Sequence, residues 1–167
     1  MEDICEVMRV CTDRCFSMSR FITRFADVVK IPEPHLVPVN LNDLVFSCKR
    51  FMEGMCADRN ITITLDIDEE LGEVKLDVAL FEQVLVNIIK NAAESIEQNG
   101  EIKIRTYSPG GIEVADNGKG ITKETEAKLF SPFFSTKPNG QGIGLIFIRE
   151  VLMRHGCSFS LRTYTDG

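Results

Sequence analysis

Two asparagines, Asn87 and Asn91, stand four residues apart in the run NIIKNA. In a helix this spacing places both amides on one face, beside an apolar stripe. Amides in such a position are costly unless something satisfies their hydrogen bonds. Their oxygens can bind a hard cation, and their NH2 groups can donate to phosphate oxygens. A purely structural pair is the alternative interpretation, and these two residues alone leave it open.

A second candidate group is the carboxylate of Asp116, which ends a predicted strand and is followed by the turn NGKGI. At the edge of a pocket, a carboxylate can accept a hydrogen bond from an exocyclic amine such as the adenine N6. The glycines of the turn, Gly118 and Gly120, allow the backbone to come close to a planar base. An ordinary turn is the alternative interpretation of this segment.

Three alternating glycines, Gly140, Gly142 and Gly144, lead directly into a predicted helix. Amide groups at a helix N-terminus point outward and the helix dipole favours anions, so this segment can cradle phosphates. It is not the dinucleotide-binding pattern, because no strand directly precedes it with GxGxxG spacing, and no GK[ST] follows as in a Walker loop. A flexible glycine-rich loop is the alternative.

The remaining pattern predicts the elements that must position these groups. We expect helices over residues 40–57, 77–98, 123–129 and 142–155, and strands over residues 61–67, 73–76, 101–107, 112–115 and 158–164. Asn40 or Asn42 can cap the first helix and Asp77 the second, which Asn99 and Gly100 should end. The predicted inward-facing side chains are Leu44, Val45, Cys48, Phe51, Met52 and Met55 on the first helix, and Phe81, Leu85, Ile88, Ala92 and Ile96 on the second. Grouped strands facing three main helices predict an α+β fold, a two-layer sandwich.

The first 30 residues predict one further helix. Apolar residues recur with alternating spacings of four and three, which is the heptad pattern of a coiled coil or bundle; a helix packed along its own domain is the alternative. The pattern comprises Ile4, Met8, Cys11, Cys15, Met18, Ile22, Phe25 and Val29. Three prolines between residues 32 and 38 end this helix. We therefore divide the chain into a helix over residues 1–31, a linker over residues 32–40 and a domain over residues 41–167.

Composition excludes several classes of function. The 167 residues carry a net charge of −6, which argues against nucleic acid or an anionic membrane as the main partner. No apolar run approaches the length of a membrane span, and the N-terminus lacks the parts of a signal peptide. The six cysteines contain no CxxC pair. We therefore expect free thiols in a reducing cytoplasm and no zinc.

The ordered motifs NIIKNA, DNGKGI, FSPFFSTK and GQGIGL resemble the N box, first glycine box, F box and second glycine box of the histidine protein kinase ATP-binding domain. That Bergerat-type fold is shared with DNA gyrase, heat-shock chaperone ATPases and MutL-type repair proteins. The resemblance covers about residues 40 to 164. The segments RFADVVKIPEP and VNLNDL are also similar to the junction in nitrogen-regulation sensor kinases. Residues 1–30 would then be the second helix of the dimerisation hairpin.

The resemblance implies ATP and magnesium as ligands, with roles for particular residues. Asn91 would bind magnesium, Asn87 would be its catalytic companion near the phosphates, and Asp116 would read adenine. Gly118, Gly120 and Ile121 would shape the base pocket, and Phe130, Phe133 and Phe134 would pack the lid on the body. Thr136 and Lys137 would lie at the lid, where Lys137 could act in catalysis on the terminal phosphates. Gly140, Gln141, Gly142, Ile143, Gly144 and Leu145 would supply the lid hinge and phosphate contacts.

The sequence also departs from the family in ways that bear on function. No histidine stands in the usual phosphoacceptor setting, and His155 resembles a structural helix end. We therefore expect a piece of a longer protein, cut between the hairpin helices and ending before a last edge strand. Glu94 stands where many sensor kinases place a lysine, and Lys90 or Lys137 could supply that charge.

The resemblance implies transfer of the ATP γ-phosphate to a histidine and later to an aspartate of a response regulator. It further implies a homodimer formed through the N-terminal helix, and a cytoplasmic location, either free or as part of a membrane-anchored sensor. One alternative is an ATP-hydrolysing clamp of the gyrase or chaperone type. Those hydrolases use a glutamate where this chain has Asn87, which is a poor general base. The other alternative is a module that only binds a nucleotide or a partner.

Overall fold

The computed structural model describes residues 6–16, 31–131 and 142–163. Residues 6–16 form helix α1. The other elements are β1 (Val37–Asn40), α2 (Leu41–Ala57), β2 (Ile61–Asp66), β3 (Glu73–Leu76), α3 (Val78–Ile96), β4 (Gly100–Tyr107), β5 (Gly111–Asp116), α4 (Lys123–Lys128) and α5 (Gly144–Arg154). No helix in these three described stretches is long and apolar enough to cross a membrane.

The main sheet has the strand order β2-β4-β5, with β2 parallel and β5 antiparallel to the central strand β4. Side chains of β4 alternate, so Ile102, Ile104 and Thr106 are buried under the helices while the residues between them are exposed. Helices α2 and α3 cover this buried face, and α5 packs against α3. The structure thus confirms the predicted α+β two-layer sandwich.

Local capping signals fix where the two long helices begin. The side chain of Asn40 accepts hydrogen bonds from the N–H groups of Asn42 and Asp43 at the start of α2. Asp77 accepts one from the Leu80 N–H at the start of α3. Both caps were predicted, because short polar side chains before an apolar periodic run satisfy the first free N–H groups of a helix.

The predicted end of α3 at Asn99 and Gly100 is wrong. The helix ends at Ile96, and Glu97 and Asn99 have positive φ angles of 68° and 56°. Gly100 is already the first residue of β4. A side chain there would overlap the Ile96 side chain and approach the Asn117 Oδ1 atom, so this glycine permits close packing rather than a helix stop.

Two further predictions are wrong. Phe51 is 74% exposed, whereas its neighbour Met52 is on the buried face of α2. Because one residue turns a helix by about 100°, Phe51 lies on a different face. Residues 157–163 belong to no strand, although a strand was expected from residue 158.

The structure also adds a strand in the proline-rich segment: Val37 of β1 pairs with Leu76 of β3. Pro38 is tolerated there because this sheet has only two strands.

Candidate functional site

Helix α3 carries a polar stripe along one side. Asn87, Asn91 and Ser95 are spaced by four residues, so they lie one above the other over about 12 Å of helix. All three are half-buried. The apolar side chains on either side of this stripe enter two different cores. Leu85 and Ala92 pack toward the main sheet, and Val84 packs toward α5.

Asp116 meets the C-terminal end of this stripe. The Ser95 hydroxyl lies 2.5 Å from Asp116 Oδ1, and the Gly118 N–H donates to the same oxygen at 3.0 Å. Within the described part of the chain, the second oxygen, Oδ2, accepts no hydrogen bond. The carboxylate is exposed. The site therefore contains a fixed carboxylate with one oxygen available to a ligand.

The loop after Asp116 is fastened on both sides. Asn117 Oδ1 accepts a hydrogen bond from the Glu101 N–H at 2.8 Å, and the Lys119 N–H donates to the Ser95 carbonyl at 3.3 Å. Further along, the Ile121 N–H donates to Thr163 Oγ1 at 2.8 Å. A loop bonded to β4, to α3 and to residue 163 is held as a preformed wall.

Two glycines of this loop are required for different reasons. A side chain at Gly118 would overlap the Ser95 hydroxyl and come within 2.7 Å of the Ser95 backbone carbon. Gly120 has a φ of 64°, a left-handed conformation that side-chain-bearing residues rarely adopt. Both glycines therefore allow the backbone to pass close to its neighbours; their role in a base pocket stays a prediction.

Helix α5 runs antiparallel to α3. At its C-terminal end, the ring of His155 packs edge-on against Phe81, with 5.5 Å between centroids. At the other end, Leu145 packs into the same cluster as Ile88. Counting 1.5 Å per residue back from His155, the N-terminus of α5 falls beside the turn of α3 that holds Asn91.

The N-terminus of α5 is suited to an anion. Its N-cap residue, Ile143, makes no side-chain capping bond. The preceding Gly142 has a φ of 64°, and no atom of the described residues would meet a Cβ placed on Gly144. Within the described ranges no side chain caps this end of the helix, and backbone N–H groups together with the helix dipole favour phosphate or carboxylate groups.

Phe130 closes the far side of α5. Its ring packs edge-on against Phe159 at 5.5 Å between centroids, and the Arg149 guanidinium lies 6.0 Å from its centroid. Phe130 thus joins the segment after α4 to α5 and to the segment that follows α5. Six other predicted site residues lie outside the described residues: Phe133, Phe134, Thr136, Lys137, Gly140 and Gln141.

Sequence reasoning missed two residues of the site, Ser95 and Thr163. The position of Ser95 one turn after Asn91 was a usable signal, because the same spacing had already paired Asn87 with Asn91. No local signal pointed to Thr163, whose partner Ile121 is 42 residues away. No cluster of three or more His, Cys, Asp or Glu side chains occurs among the described residues.

Comparison with known proteins gives concordant results. A family model described as histidine kinase-, DNA gyrase B-, and HSP90-like ATPase matches residues 76–166. The catalytic domain of histidine kinase ThkA is 33% identical, with a TM-score of 0.65 over 72% of this chain and 82% of that one.

Sensor kinases are also similar in sequence. ZraS of Escherichia coli K12 is 30% identical over 156 residues, which cover 92% of this chain and 33% of ZraS. AtoS of the same strain is 29% identical over 154 residues, or 90% of this chain and 25% of AtoS. The chain thus spans about a third or less of these relatives.

Proposed function

The chain belongs to the family of histidine kinase-, DNA gyrase B- and HSP90-like ATPases, among the histidine kinase catalytic domains, and on that premise we propose that it binds magnesium ATP between α3 and α5. In the complete protein it would present the γ-phosphate to a histidine. The observation that carries the proposal is the polar stripe of α3. It ends at a fixed carboxylate, and the N-terminus of α5 lies beside its middle turn.

In this proposal the two ends of the nucleotide lie at opposite ends of the polar stripe. Asp116 Oδ2 would accept a hydrogen bond from the adenine amino group, with Gly118, Gly120 and Ile121 forming the wall around the base. The triphosphate would then extend toward Asn91 and Asn87. The N–H groups of Gly144 and Leu145 would face the phosphate oxygens.

Asn91 and Asn87 fit a magnesium ion in their chemistry. Magnesium is commonly held by one or two protein oxygens together with phosphate oxygens, and amide oxygens are hard donors. Asn91 would supply the protein oxygen, and Asn87 would position a phosphate. When bound, the ion would neutralise charge on the phosphates during transfer.

The reaction that fits these residues is phosphoryl transfer rather than hydrolysis. An imidazole nitrogen attacks the γ-phosphorus, and the bond to the bridging β–γ oxygen breaks, releasing ADP. Positioning and charge neutralisation supply most of the catalysis. Asn87 cannot take a proton from water as a glutamate can. Bound ATP would therefore be hydrolysed very slowly and would remain available for reaction with the histidine.

We further propose a cytoplasmic location, a response-regulator receiver domain as partner, and dimerisation through the N-terminal helix. The chain is 26% identical to histidine kinase ThkA in a crystal structure of its complex with the response regulator TrrA. In α1, the side chains of Val7, Met8, Val10 and Phe16 are exposed apolar groups. A partner helix would cover part of this surface.

Titration with a fluorescent ATP analogue tests the site. We expect Asp116→Asn and Asn91→Asp to abolish binding. Asp66→Asn is the matched control, because Asp66 lies on the outer face of β2 and pairs with Lys103 and Arg105. Unchanged titration by the two site variants would contradict the assignment.

Supplying a helix that carries a phosphoacceptor histidine tests the reaction. We expect acid-labile phosphorylation of that helix and very slow hydrolysis of ATP by the chain alone. Brisk hydrolysis by the unmodified chain would instead favour the clamp function, and comparison with Asn87→Glu would show how much a glutamate adds.

A further inference from the structure

We infer that Ser95 is a positioning residue for base recognition, which holds the Asp116 carboxylate in the one orientation that accepts a 6-amino group. This inference rests on the proposed function of Asp116. It concerns the orientation of the Asp116 carboxylate.

The contact itself is short and charge-assisted. The hydroxyl of Ser95 lies 2.5 Å from Asp116 Oδ1 and 3.0 Å from the Ala92 carbonyl oxygen. A hydroxyl has one proton, and the shorter distance and the negative charge both favour the carboxylate as its acceptor. Ser95 therefore donates to Asp116.

Two donors on one oxygen fix the rotation of the carboxylate. Oδ1 accepts from Ser95 and from the Gly118 N–H, so the plane of the group is set and Oδ2 faces away from both donors. Without the hydroxyl, the Gly118 N–H alone would remain on Oδ1. The terminal torsion of an aspartate has a broad energy minimum, so the carboxylate could then rotate.

The neighbouring backbone is built around this hydroxyl. A Cβ at Gly118 would lie so close to the Ser95 hydroxyl oxygen that it would overlap it. The Ser95 carbonyl also accepts the Lys119 N–H at 3.3 Å. One residue of α3 thus holds both the carboxylate and the loop that follows it, at the place where the purine edge would lie.

A fixed acceptor discriminates between purines. The 6-amino group of adenine donates to Oδ2, whereas a 6-oxo group presents lone pairs to it and is repelled. Losing the hydroxyl should weaken the interaction with the amino group and should also relieve that repulsion. The ratio of the ATP and ITP dissociation constants is therefore the specific readout, since ITP carries a 6-oxo group.

The experiment measures Kd for ATP and for ITP, with magnesium, by competition against a fluorescent ATP analogue calibrated for each variant. We expect Ser95→Ala to weaken ATP binding about ten-fold, as for a lost charge-assisted hydrogen bond, with ITP changed less than about two-fold. Ser95→Thr retains the hydroxyl and should keep most of the selectivity. Ser47→Ala, the same change at an exposed position of α2, should alter neither constant.

The outcomes separate this inference from the proposed function. If Ser95→Ala weakens the binding of ATP and of ITP by the same factor, or weakens neither, the positioning role is overturned while the proposal of ATP binding stands. If the unmodified chain binds no ATP analogue, the proposed function fails and this inference fails with it. Circular dichroism and a thermal melt of each variant confirm that the fold is intact.

Discussion

The imidazole of His155 accepts a hydrogen bond from the backbone N–H of Asp77, with 3.0 Å between Nε2 and the nitrogen. Its other ring nitrogen, Nδ1, lies 2.7 Å from the Val151 carbonyl oxygen, which can only accept, so Nδ1 carries the proton. Both ring nitrogens of His155 are therefore engaged: Nδ1 holds the ring to its own helix, α5, and Nε2 joins the end of α5 to the start of α3. The expected structural role of this histidine follows from that geometry.

Asp77 extends the same junction to the proline-rich segment. Its Oδ2 accepts a hydrogen bond from the His35 N–H at 2.9 Å, and Oδ1 accepts one from the Leu80 N–H. Nearby, Ile31 is buried against α5. The segment predicted as a linker over residues 32–40 thus contacts the domain through His35 and β1, and Ile31 just before it does so through the α5 cluster.

Stability should depend on pH through Asp77. The His35 N–H, followed by that of Leu80, lowers the pKa of this carboxyl below its ordinary value. A lowered native pKa means that the carboxylate stabilises the fold above its unfolded pKa, about 4, and that this contribution is lost as the pH falls through the native value. We expect Asp77→Asn to lower the free energy of unfolding more at pH 7 than at pH 3, measured in urea.

Asp77→Ser provides the matched variant, because serine still caps α3 but carries no charge. It should show the same dependence on pH as Asp77→Asn. A deficit of equal size at both pH values would contradict this explanation.

Alanine substitutions at Gly118 and Gly144, on the two sides of the site, should have different effects on stability. Gly118→Ala places a methyl group against Ser95, so we expect a loss of about 1–3 kcal/mol in the free energy of unfolding, together with weaker nucleotide binding. At Gly144, a Cβ would meet no atom of the described residues. Gly144→Ala should therefore leave the urea midpoint unchanged while it weakens nucleotide binding. Equal loss of stability in both variants would refute the distinction.

Adjacent residues of α2 should contribute very differently to stability. Met52 is 3% exposed within the main core, whereas Phe51 is 74% exposed. Met52→Ala should cost about 2–5 kcal/mol because it leaves a cavity. Phe51→Ala should change the free energy of unfolding by no more than about 0.5 kcal/mol. Urea unfolding of the two variants compares them directly, and a large loss for Phe51→Ala would show that its ring is covered in solution.

The cysteines should differ in their rates of modification by iodoacetamide. Burial, with a smaller effect of Glu82, raises the pKa of the Cys48 thiol to about 11. At pH 8 only about a thousandth of it is therefore the reactive thiolate. Cys11 and Cys15 are exposed on α1. Iodoacetamide should modify these two first, with Cys48 modified only after unfolding, as followed by mass spectrometry. Modification of Cys48 in native protein at the rate of Cys11 would contradict its burial.

The sequence alone determined where α2 and α3 begin and which residue types the candidate site contains. Caps at Asn40 and Asp77 and the periodicity of α2 and α3 are signals confined to a few neighbouring residues, and local hydrogen bonds act over the same distance. The four motifs likewise named most of the candidate site, because each residue type limits what its side chain can donate, accept or allow.

Only the tertiary structure determined which residues that are distant in sequence come into contact. The contact of Ser95 with Asp116 spans 21 residues and that of Ile121 with Thr163 spans 42, and neither could be read from local spacing. The exposure of Phe51 and the pairing of β1 with β3 likewise depended on which surfaces found partners. Apolar periodicity identifies a face that can be buried, but only the packed neighbours determine how wide that face is and which distant groups meet at its edge.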